Sequence, residues 1–288
     1  MTVLGAVSLP QIPPEQLAAV AAAADGSGLD ELWLWEDCFW GGGVASAATV
    51  LARTERVRVG IGVFPVPLRA VALTAMEIAV LARLHPGRVL PGFGHGAQDW
   101  MAQAGVRVDS PMTLLREQFG ALRALLDGEK VTAHGRYVDL DEVALVFPPT
   151  TPLPLISAAT GPKTLRLSGE LADGTILVSR TPLDGIRDAR ALIDEGRAKA
   201  GRTDQHRLIS YLRAATGPDA AERLAASQAR DAFATPVGVA GSAEEIADAV
   251  RVRAAAGADT VVLEPTDDDP DLVGFVRFVG EQVRPLIS

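Results

Sequence analysis

Short runs of apolar and β-branched residues alternate along the chain with segments in which apolar residues recur every three or four positions. The runs predict strands and the spaced segments predict helices. The predicted strands are Val3–Ser8, Glu31–Trp35, Val57–Phe64, Arg88–Phe93, Leu153–Ala159, Gly174–Ser179, Leu208–Arg213 and Asp259–Glu264. The predicted helices are Pro14–Ala24, Val44–Thr54, Ala70–Leu84, Met112–Leu126, Pro162–Leu171, Leu183–Ala200, Asp219–Ala232, Ala243–Ala256 and Leu272–Val283.

This alternation predicts an α/β fold, because strands that alternate with helices pair in parallel through right-handed crossovers. Eight strand–helix units in 288 residues favour one closed (β/α)8 TIM barrel over an open sheet. We therefore expect a single domain over residues 1–288. The interval of about 94–152, between the fourth and fifth strands, is too long for a simple loop. It predicts an insertion over one side of the barrel mouth, with a hairpin in Lys130–Phe147, where the residues alternate.

Composition and charge narrow the possible binding partners and the cellular location. The net charge of −9 disfavours general binding to nucleic acid or to anionic membranes, since both need a basic face. We find no run of about 18 apolar residues and no basic segment followed by an apolar block at the N-terminus. Cys38 is the single cysteine, so an internal disulfide is excluded. Together these features predict a cytoplasmic protein.

Candidate chemistry is sought after the strands, because active sites of this architecture lie at the strand C-termini. Glycines, prolines and aromatic residues gather in four such places. Glycine allows close backbone approach to a ligand, and aromatic rings offer flat stacking surface. The four segments are Trp35–Gly43, Gly62–Pro67, Gly92–Gly96 and Ala159–Lys163.

At these residues the chain resembles the luciferase-like monooxygenase family, especially its deazaflavin branch, which uses coenzyme F-420 (also written F420). The resemblance runs from about Leu4 to Glu264. Its strongest pieces are "VRVGIGVFPVPLR" through "LARLHPGRVLPGFGHG", and "AATGPKTLRLSGELADGTIL". The resemblance implies an oxidoreductase with coenzyme F-420 or FMN as cofactor, a small-molecule substrate and a homodimer.

The resemblance also implies cofactor-binding residues. A non-prolyl cis peptide would lie at Gly62–Val63, behind the central ring of the cofactor; the alternative is an ordinary strand end. The loop Gly94, His95 and Gly96 would lie along the cofactor, although its G-x-G-x-G spacing is not a dinucleotide fingerprint. His95 is a candidate proton donor, because histidine titrates near neutrality, or else a loop histidine with one hydrogen bond.

The turn before the sixth predicted helix is a candidate phosphate site. Free N–H groups at a helix start attract phosphate, and in the family this turn contributes to the ribityl or phosphate side of the cofactor. Ser179 and Arg180 would add a hydroxyl and a cation; the alternative for all of them is routine capping and solvation. The candidate residues of the turn are Thr160, Gly161 and Pro162.

The substrate side departs from the family. Its dehydrogenases usually carry an acidic residue and then a histidine after the second strand, whereas this chain has Asp37 and Cys38. Asp37, or Glu36, is therefore a candidate for proton transfer, or else a capping or ion-paired carboxylate. Cys38 is interpreted as a small lining residue, or else a reactive thiol. Trp35, Phe39 and Trp40 are expected to wall the substrate pocket, although such clusters also occur in cores.

The sequence lacks the residues that two other activities of the same fold require. A Schiff-base aldolase needs a lysine on a barrel strand, and none of the three lysines lies on one. The four histidines are scattered, so no metal site is expected. Three functions remain: hydride transfer with coenzyme F-420, monooxygenation with reduced FMN and oxygen, and cofactor binding without catalysis.

Overall fold

Eight parallel strands close into a barrel in the computed structural model, which describes residues 2–230 and 237–287. Counting from the N-terminus, β1–β4, β7–β9 and β11 form the barrel in that order, and β11 pairs back with β1. The predicted TIM barrel is thus confirmed. The strands of the described residues are β1 (Val3–Ser8), β2 (Glu31–Leu34), β3 (Arg58–Pro65), β4 (Val89–Gly94), β5 (Val131–His134), β6 (Asp139–Val143), β7 (Ile156–Ala158), β8 (Gly174–Leu177), β9 (Arg207–Ala215), β10 (Val239–Ala240) and β11 (Thr260–Glu264).

Helices follow the strands, and most of them begin and end within a few residues of the predicted bounds. The two last residues of the predicted helix Asp219–Ala232 lie outside the described residues. The short helix α4 was not predicted. None of the helices in the described ranges has the length and apolarity needed to cross a bilayer. The helices are α1 (Leu17–Gly26), α2 (Gly43–Leu51), α3 (Val71–Leu84), α4 (Gln98–Gln103), α5 (Pro111–Leu126), α6 (Pro162–Leu171), α7 (Leu183–Lys199), α8 (Ala220–Arg230), α9 (Ala243–Ala255) and α10 (Leu272–Phe278).

The barrel interior is a packed core rather than a channel, as expected for eight strands. The inward side chains of the strands form one cluster in which Trp33 is fully buried. The ring of Tyr211 meets the Trp33 ring edge-on, with 6.0 Å between centroids. Tyr211 and Trp35 stack above it, also 6.0 Å apart. These aromatic rings form the floor of the barrel mouth.

A buried carboxylate closes the opposite end of the barrel. Glu31 is the first residue of β2 and has no exposed surface. Its Oε2 accepts a hydrogen bond from Trp33 Nε1 at 3.0 Å, and its Oε1 lies 2.8 Å from Arg58 and 2.5 Å from Arg207. Arg207 also donates to the hydroxyl of Thr260 at 2.7 Å. These residues all lie at the N-terminal ends of strands, away from the mouth.

The segment between β4 and β7 contains α4, α5 and the hairpin β5–β6. The hairpin packs along α5, because the Glu117 carboxylate on that helix accepts backbone hydrogen bonds from Arg136, Tyr137 and Val138. The amide of Ser110 donates to the Tyr137 hydroxyl at 2.9 Å. No hairpin residue lines the mouth cavities described below, and the part of the segment that does is residues 94–100 with Pro111.

Candidate active site

Two adjoining cavities open at the C-terminal ends of the strands. One, of about 440 Å³, lies beside β4 and the start of α6, and we call it the β4 cavity. The other, of about 520 Å³, lies beside the ends of β8, β9 and β11, and we call it the β9 cavity. Five residues line both cavities, so the cavities form one continuous site. The shared residues are Asp37, Gly62, Val63, Trp100 and Ala158.

The Gly62–Val63 peptide bond at the centre of this site is cis, which confirms the predicted isomer. It interrupts the pairing of β3 with β4 between Ile61 and Phe64. A Cβ atom on Gly62 would lie only 2.2 Å from the Tyr211 hydroxyl oxygen, so glycine is required there. Gly62 and Val63 line both cavities. Its contact with a cofactor ring stays a prediction.

The loop after β4 lines the β4 cavity with the three predicted residues Gly94, His95 and Gly96, joined by Gln98 and Trp100. The Gln98 side chain donates to the backbone carbonyls of His95 and Gly96, each at 3.2 Å, which holds the loop in shape. Burial lowers the pKa of His95, and its Nε2 has no hydrogen-bond partner within the described chain. At neutral pH His95 is thus an uncharged imidazole rather than a cationic acid.

The start of α6 borders the β4 cavity. Thr160 and Thr164 line the cavity, whereas Gly161 and Pro162, between them in the chain, are not among its lining residues. Gly161 is the N-cap and has no side chain to accept from the first-turn N–H groups. A Cβ atom on Gly161 would meet nothing within 4 Å. The helix start therefore combines unpaired amide donors with open space, which suits an anion.

Ser179 and Arg180 lie elsewhere than the α6 turn with which the sequence grouped them. Both line the β9 cavity, and neither lines the β4 cavity. Ser179 is buried, whereas Arg180 is exposed and forms no ion pair with another described residue. The cation of Arg180 is thus available to a ligand at the rim of the β9 cavity.

Asp37 is the free carboxylate of the site. It lines both cavities, and its carboxylate accepts no hydrogen bond from the described residues. Burial, and secondarily the charge of Glu264, raise the pKa of Asp37 from 3.8 to about 6. Glu264 is itself paired: Arg213 Nε donates to it at 2.9 Å and Arg213 Nη1 donates to Ser227 at 2.8 Å. Asp37 can therefore gain or lose a proton near neutral pH.

Glu36, the other candidate for proton transfer, is held by partners. Its Oε2 accepts the backbone N–H of Gly43 at 2.6 Å, at the start of α2, and lies 3.2 Å from the Arg69 guanidinium. A carboxylate fixed in this way stabilises a helix start. The geometry thus favours Asp37 over Glu36 as the proton-transfer group.

The four predicted pocket residues do not line one common pocket. Trp35, Phe39 and Trp40 line a third cavity of about 310 Å³ beside the loop after β1, which we call the β1 cavity, and Trp35 also lines the β9 cavity. Cys38 is buried and lines none of the three cavities, and its peptide bond to Phe39 is cis. Burial, followed by the charges of Asp37 and Glu36, raises the pKa of the Cys38 thiol. This favours the packing role over the reactive one.

Sequence reasoning missed several lining residues. Arg213 and Glu264 end two predicted strands, and a search for charged residues at strand ends would have found them. Tyr211 lies two residues before Arg213 on the inner face of β9. Trp100 lies on α4, whose six residues carry too short a pattern to predict a helix.

Comparisons with known proteins agree with this geometry. The family model described as luciferase-like monooxygenase matches residues 1–237. The chain is 32% identical over 253 residues to a 5,10-methylenetetrahydromethanopterin reductase from Methanolobus tindarius, covering 87% of this chain and 76% of the relative. It is 31% identical over 289 residues to an F420-dependent glucose-6-phosphate dehydrogenase from Beutenbergia cavernae, covering 92% of this chain and 83% of the relative.

The fold is shared with solved structures. An F420-dependent secondary alcohol dehydrogenase, in complex with an F420-acetone adduct, superposes with a TM-score of 0.87 at 21% identity, over 100% of this chain and 99% of that protein. The relatives named above are reductases and dehydrogenases, so the predicted oxidoreductase class is confirmed.

Proposed function

Because this chain belongs to the luciferase-like monooxygenase family, we propose that it is an oxidoreductase that transfers hydride between coenzyme F-420 and a small organic substrate. The observation that carries the proposal is Asp37, a carboxylate with a pKa of about 6 and no partner among the described residues, at the junction of the two mouth cavities. Relatives at 31–32% identity are named for reduction or for dependence on this coenzyme, which supports the choice of cofactor.

The residues present fit such a cofactor. The flat backbone at Gly62–Val63, bordered by Gly94, would contact the ring system, and the loop at His95 would lie along it. The uncapped start of α6 at Gly161 would hold a phosphate group. Arg180 would contact the anionic part of a ligand that reaches the β9 cavity.

Asp37 would handle the proton of the reaction. When bound, the deazaflavin supplies a hydride in its reduced form and accepts one in its oxidised form. As the carbonyl carbon of the substrate gains a hydride, Asp37 would give its proton to the carbonyl oxygen, so that an alcohol forms. In the reverse direction Asp37 would take that proton back. A pKa of about 6 suits both directions at near-neutral pH.

Titration of the purified protein with coenzyme F-420 and with FMN tests the proposal, followed by turnover measurements with each reduced cofactor on a panel of ketones and aldehydes. We expect binding of coenzyme F-420 and reduction of a carbonyl substrate. Tight binding of FMN alone, with oxygen consumption, would instead identify a monooxygenase. Binding of coenzyme F-420 without turnover of any substrate would indicate a non-catalytic binding protein.

The phosphate contact has a test of its own in Gly161→Asp. The added Cβ atom meets no atom within 4 Å, and aspartate is a favourable N-cap, so the fold should not suffer. We expect roughly tenfold weaker cofactor binding, because the charge repels phosphate at the helix start. Gly161→Asn is the matched control with the same shape and no charge. Equal affinity in the Asp and Asn variants would remove this turn from the site.

We also propose a homodimer formed through the outer face of α3. Four large apolar side chains on this helix are 48–68% exposed and lie at helical spacing, so they form one stripe. Replacement of Val80 by Glu at the centre of the stripe should convert a dimer into a monomer in sedimentation velocity. A wild-type protein that sediments as a monomer would contradict the proposal. The stripe consists of Leu73, Met76, Val80 and Leu84.

A further inference from the structure

No charged side chain of the described residues lines the β1 cavity. One wall is the end of β1 and the proline-rich loop that follows it, and the other wall is the loop after β2 with the start of α2. Its polar lining side chains are only hydroxyls, one amide and two indoles, so none of the described side chains that line it could neutralise an anion. The lining comprises Ser8, Leu9, Pro10, Gln11, Ile12, Pro13, Pro14, Leu17, Leu34, Trp35, Phe39, Trp40, Gly41 and Ser46.

Two large aromatic side chains stand exposed at this cavity. Phe39 is 69% exposed and Trp40 is 58% exposed, although they are neighbours in the chain. Phe147 is comparably exposed at 67%, but the Arg83 guanidinium covers its ring at 5.7 Å. Within the described residues, the rings of Phe39 and Trp40 have neither a stacking partner nor a cation over them. Exposed apolar surface at the edge of a cavity is typical of a ligand-binding site.

The β1 cavity adjoins the proposed reaction site at Trp35. This side chain lines both the β1 cavity and the β9 cavity, and its ring is held by stacking on Tyr211 at 6.0 Å and 15°. Asp37 lies on the other side of this partition, in the β9 cavity. A molecule with its reacting group beside Asp37 would reach the β1 cavity by passing the Trp35 indole.

From this uncharged lining, the exposed rings and the shared Trp35, we propose that the β1 cavity binds the hydrocarbon part of the substrate. The substrate class is then an uncharged ketone, aldehyde or alcohol with an apolar body, and not a sugar phosphate or another anion. The inference rests on the proposed function for the position of the reacting group. Binding of the apolar body is a property of this cavity alone, so the two can be tested separately.

A series of methyl ketones tests the inference on the full protein, first without and then with added coenzyme F-420. We expect the dissociation constants of 2-pentanone, 2-heptanone and 2-nonanone, measured by quenching of tryptophan fluorescence and by calorimetry, to fall about fourfold for each added methylene. Glucose 6-phosphate should bind more weakly than 2-nonanone. A flat series, or tighter binding of the sugar phosphate, would overturn the inference. Ketone binding without any binding of coenzyme F-420 would refute the proposed function and leave the inference standing.

Two variants on one helix locate the bound ketone. Ser46→Glu places a carboxylate in the cavity near the start of α2, where a negative charge is compatible with the helix. Thr49→Glu is the matched control, one turn further on and outside the lining. We expect at least tenfold weaker binding of 2-nonanone to Ser46→Glu and unchanged binding to Thr49→Glu. Trp40→Ala should weaken binding similarly, and equal affinity of 2-nonanone for the wild type and both cavity variants would overturn the inference.

Discussion

A buried carboxylate lies at each end of the barrel, and the two differ in their hydrogen-bond and ion-pair partners. At the N-terminal end, Glu31 is enclosed by two guanidinium groups and an indole N–H. At the C-terminal end, Asp37 accepts no hydrogen bond from the described residues and faces a second acid, Glu264. Both carboxylates come from the segment that begins with β2, only six positions apart.

This difference assigns the paired carboxylate to stability and the unpaired carboxylate to chemistry. A carboxylate with all its acceptor sites used contributes to the fold and has no spare capacity to exchange a proton. A carboxylate that is buried without partners costs stability when ionised, and the same cost moves its pKa towards the pH at which a proton can be exchanged. In barrels of this kind the N-terminal face serves stability and the C-terminal face carries the active site.

The largest expected effect comes from removing the charge of Glu31, the paired carboxylate. Glu31→Gln would leave the partly exposed Arg207 and Arg58 facing an amide instead of a fully buried carboxylate. We expect the free energy of unfolding to fall by about 3 kcal/mol in urea denaturation. Glu129→Gln, at an exposed carboxylate, should change it by less than about 0.5 kcal/mol. Similar losses in both variants would mean that the Glu31 network does not stabilise the barrel.

Replacement of Asp37, the unpaired carboxylate, should instead raise the free energy of unfolding. Below pH 3.8 Asp37 is protonated in both the folded and the unfolded chain; between pH 3.8 and about 6 only the folded chain retains the proton, so stability falls as pH rises. Asp37→Asn removes this cost. We expect the variant to be about 3 kcal/mol more stable than the wild type at pH 8 and equally stable below pH 4.

The same variant should lose at least 100-fold in kcat for carbonyl reduction, because the amide cannot donate the proton. Denaturation curves at pH 4 and pH 8, with turnover measured on the same preparations, check both effects. A variant that is less stable than the wild type at pH 8 would contradict the high pKa of Asp37.

The sequence predicted the barrel well because its evidence is repetitive. Eight apolar runs and the helices between them each contribute a weak signal, and the closed architecture follows from their order. The starts of α6 at Pro162 and of α9 at Ala243 were also predicted, since local chemistry determines them.

The site was predicted less completely, because its chemistry depends on contacts between distant positions. Glu264 and Arg213 pair across 51 positions, and only the structure brings them beside Asp37. The segment 35–40 was interpreted as one wall, whereas the strand end turns its side chains in different directions. Asp37 lines the reaction site, Cys38 is buried, and Phe39 and Trp40 line another cavity. Residue type alone does not encode these directions.

The smallest expected effect is on the pKa of Asp37 when a neighbouring charge is removed. It distinguishes the two ends of the barrel most clearly, because Asp37 itself stays unchanged. The titratable or charged side chains near Asp37 are Glu36, Cys38, His95, Arg180, Tyr211, Arg213 and Glu264. Of these, only Glu264 adds a negative charge that raises the pKa of Asp37. Glu264→Gln removes that charge and leaves the guanidinium of Arg213 in place, so the pKa of Asp37 should fall.

The measurement is the pH dependence of kcat for carbonyl reduction. This direction needs protonated Asp37, so in the wild type kcat should decline as pH rises through about 6. In Glu264→Gln the midpoint of the decline should move to lower pH by roughly half a unit, the size expected for one charge at this range in a hydrated cavity. Glu264→Asp keeps the charge and should keep the midpoint. If the Asp and Gln variants move the midpoint equally, the charge of Glu264 does not act on Asp37, and burial alone makes this end of the barrel differ from the other.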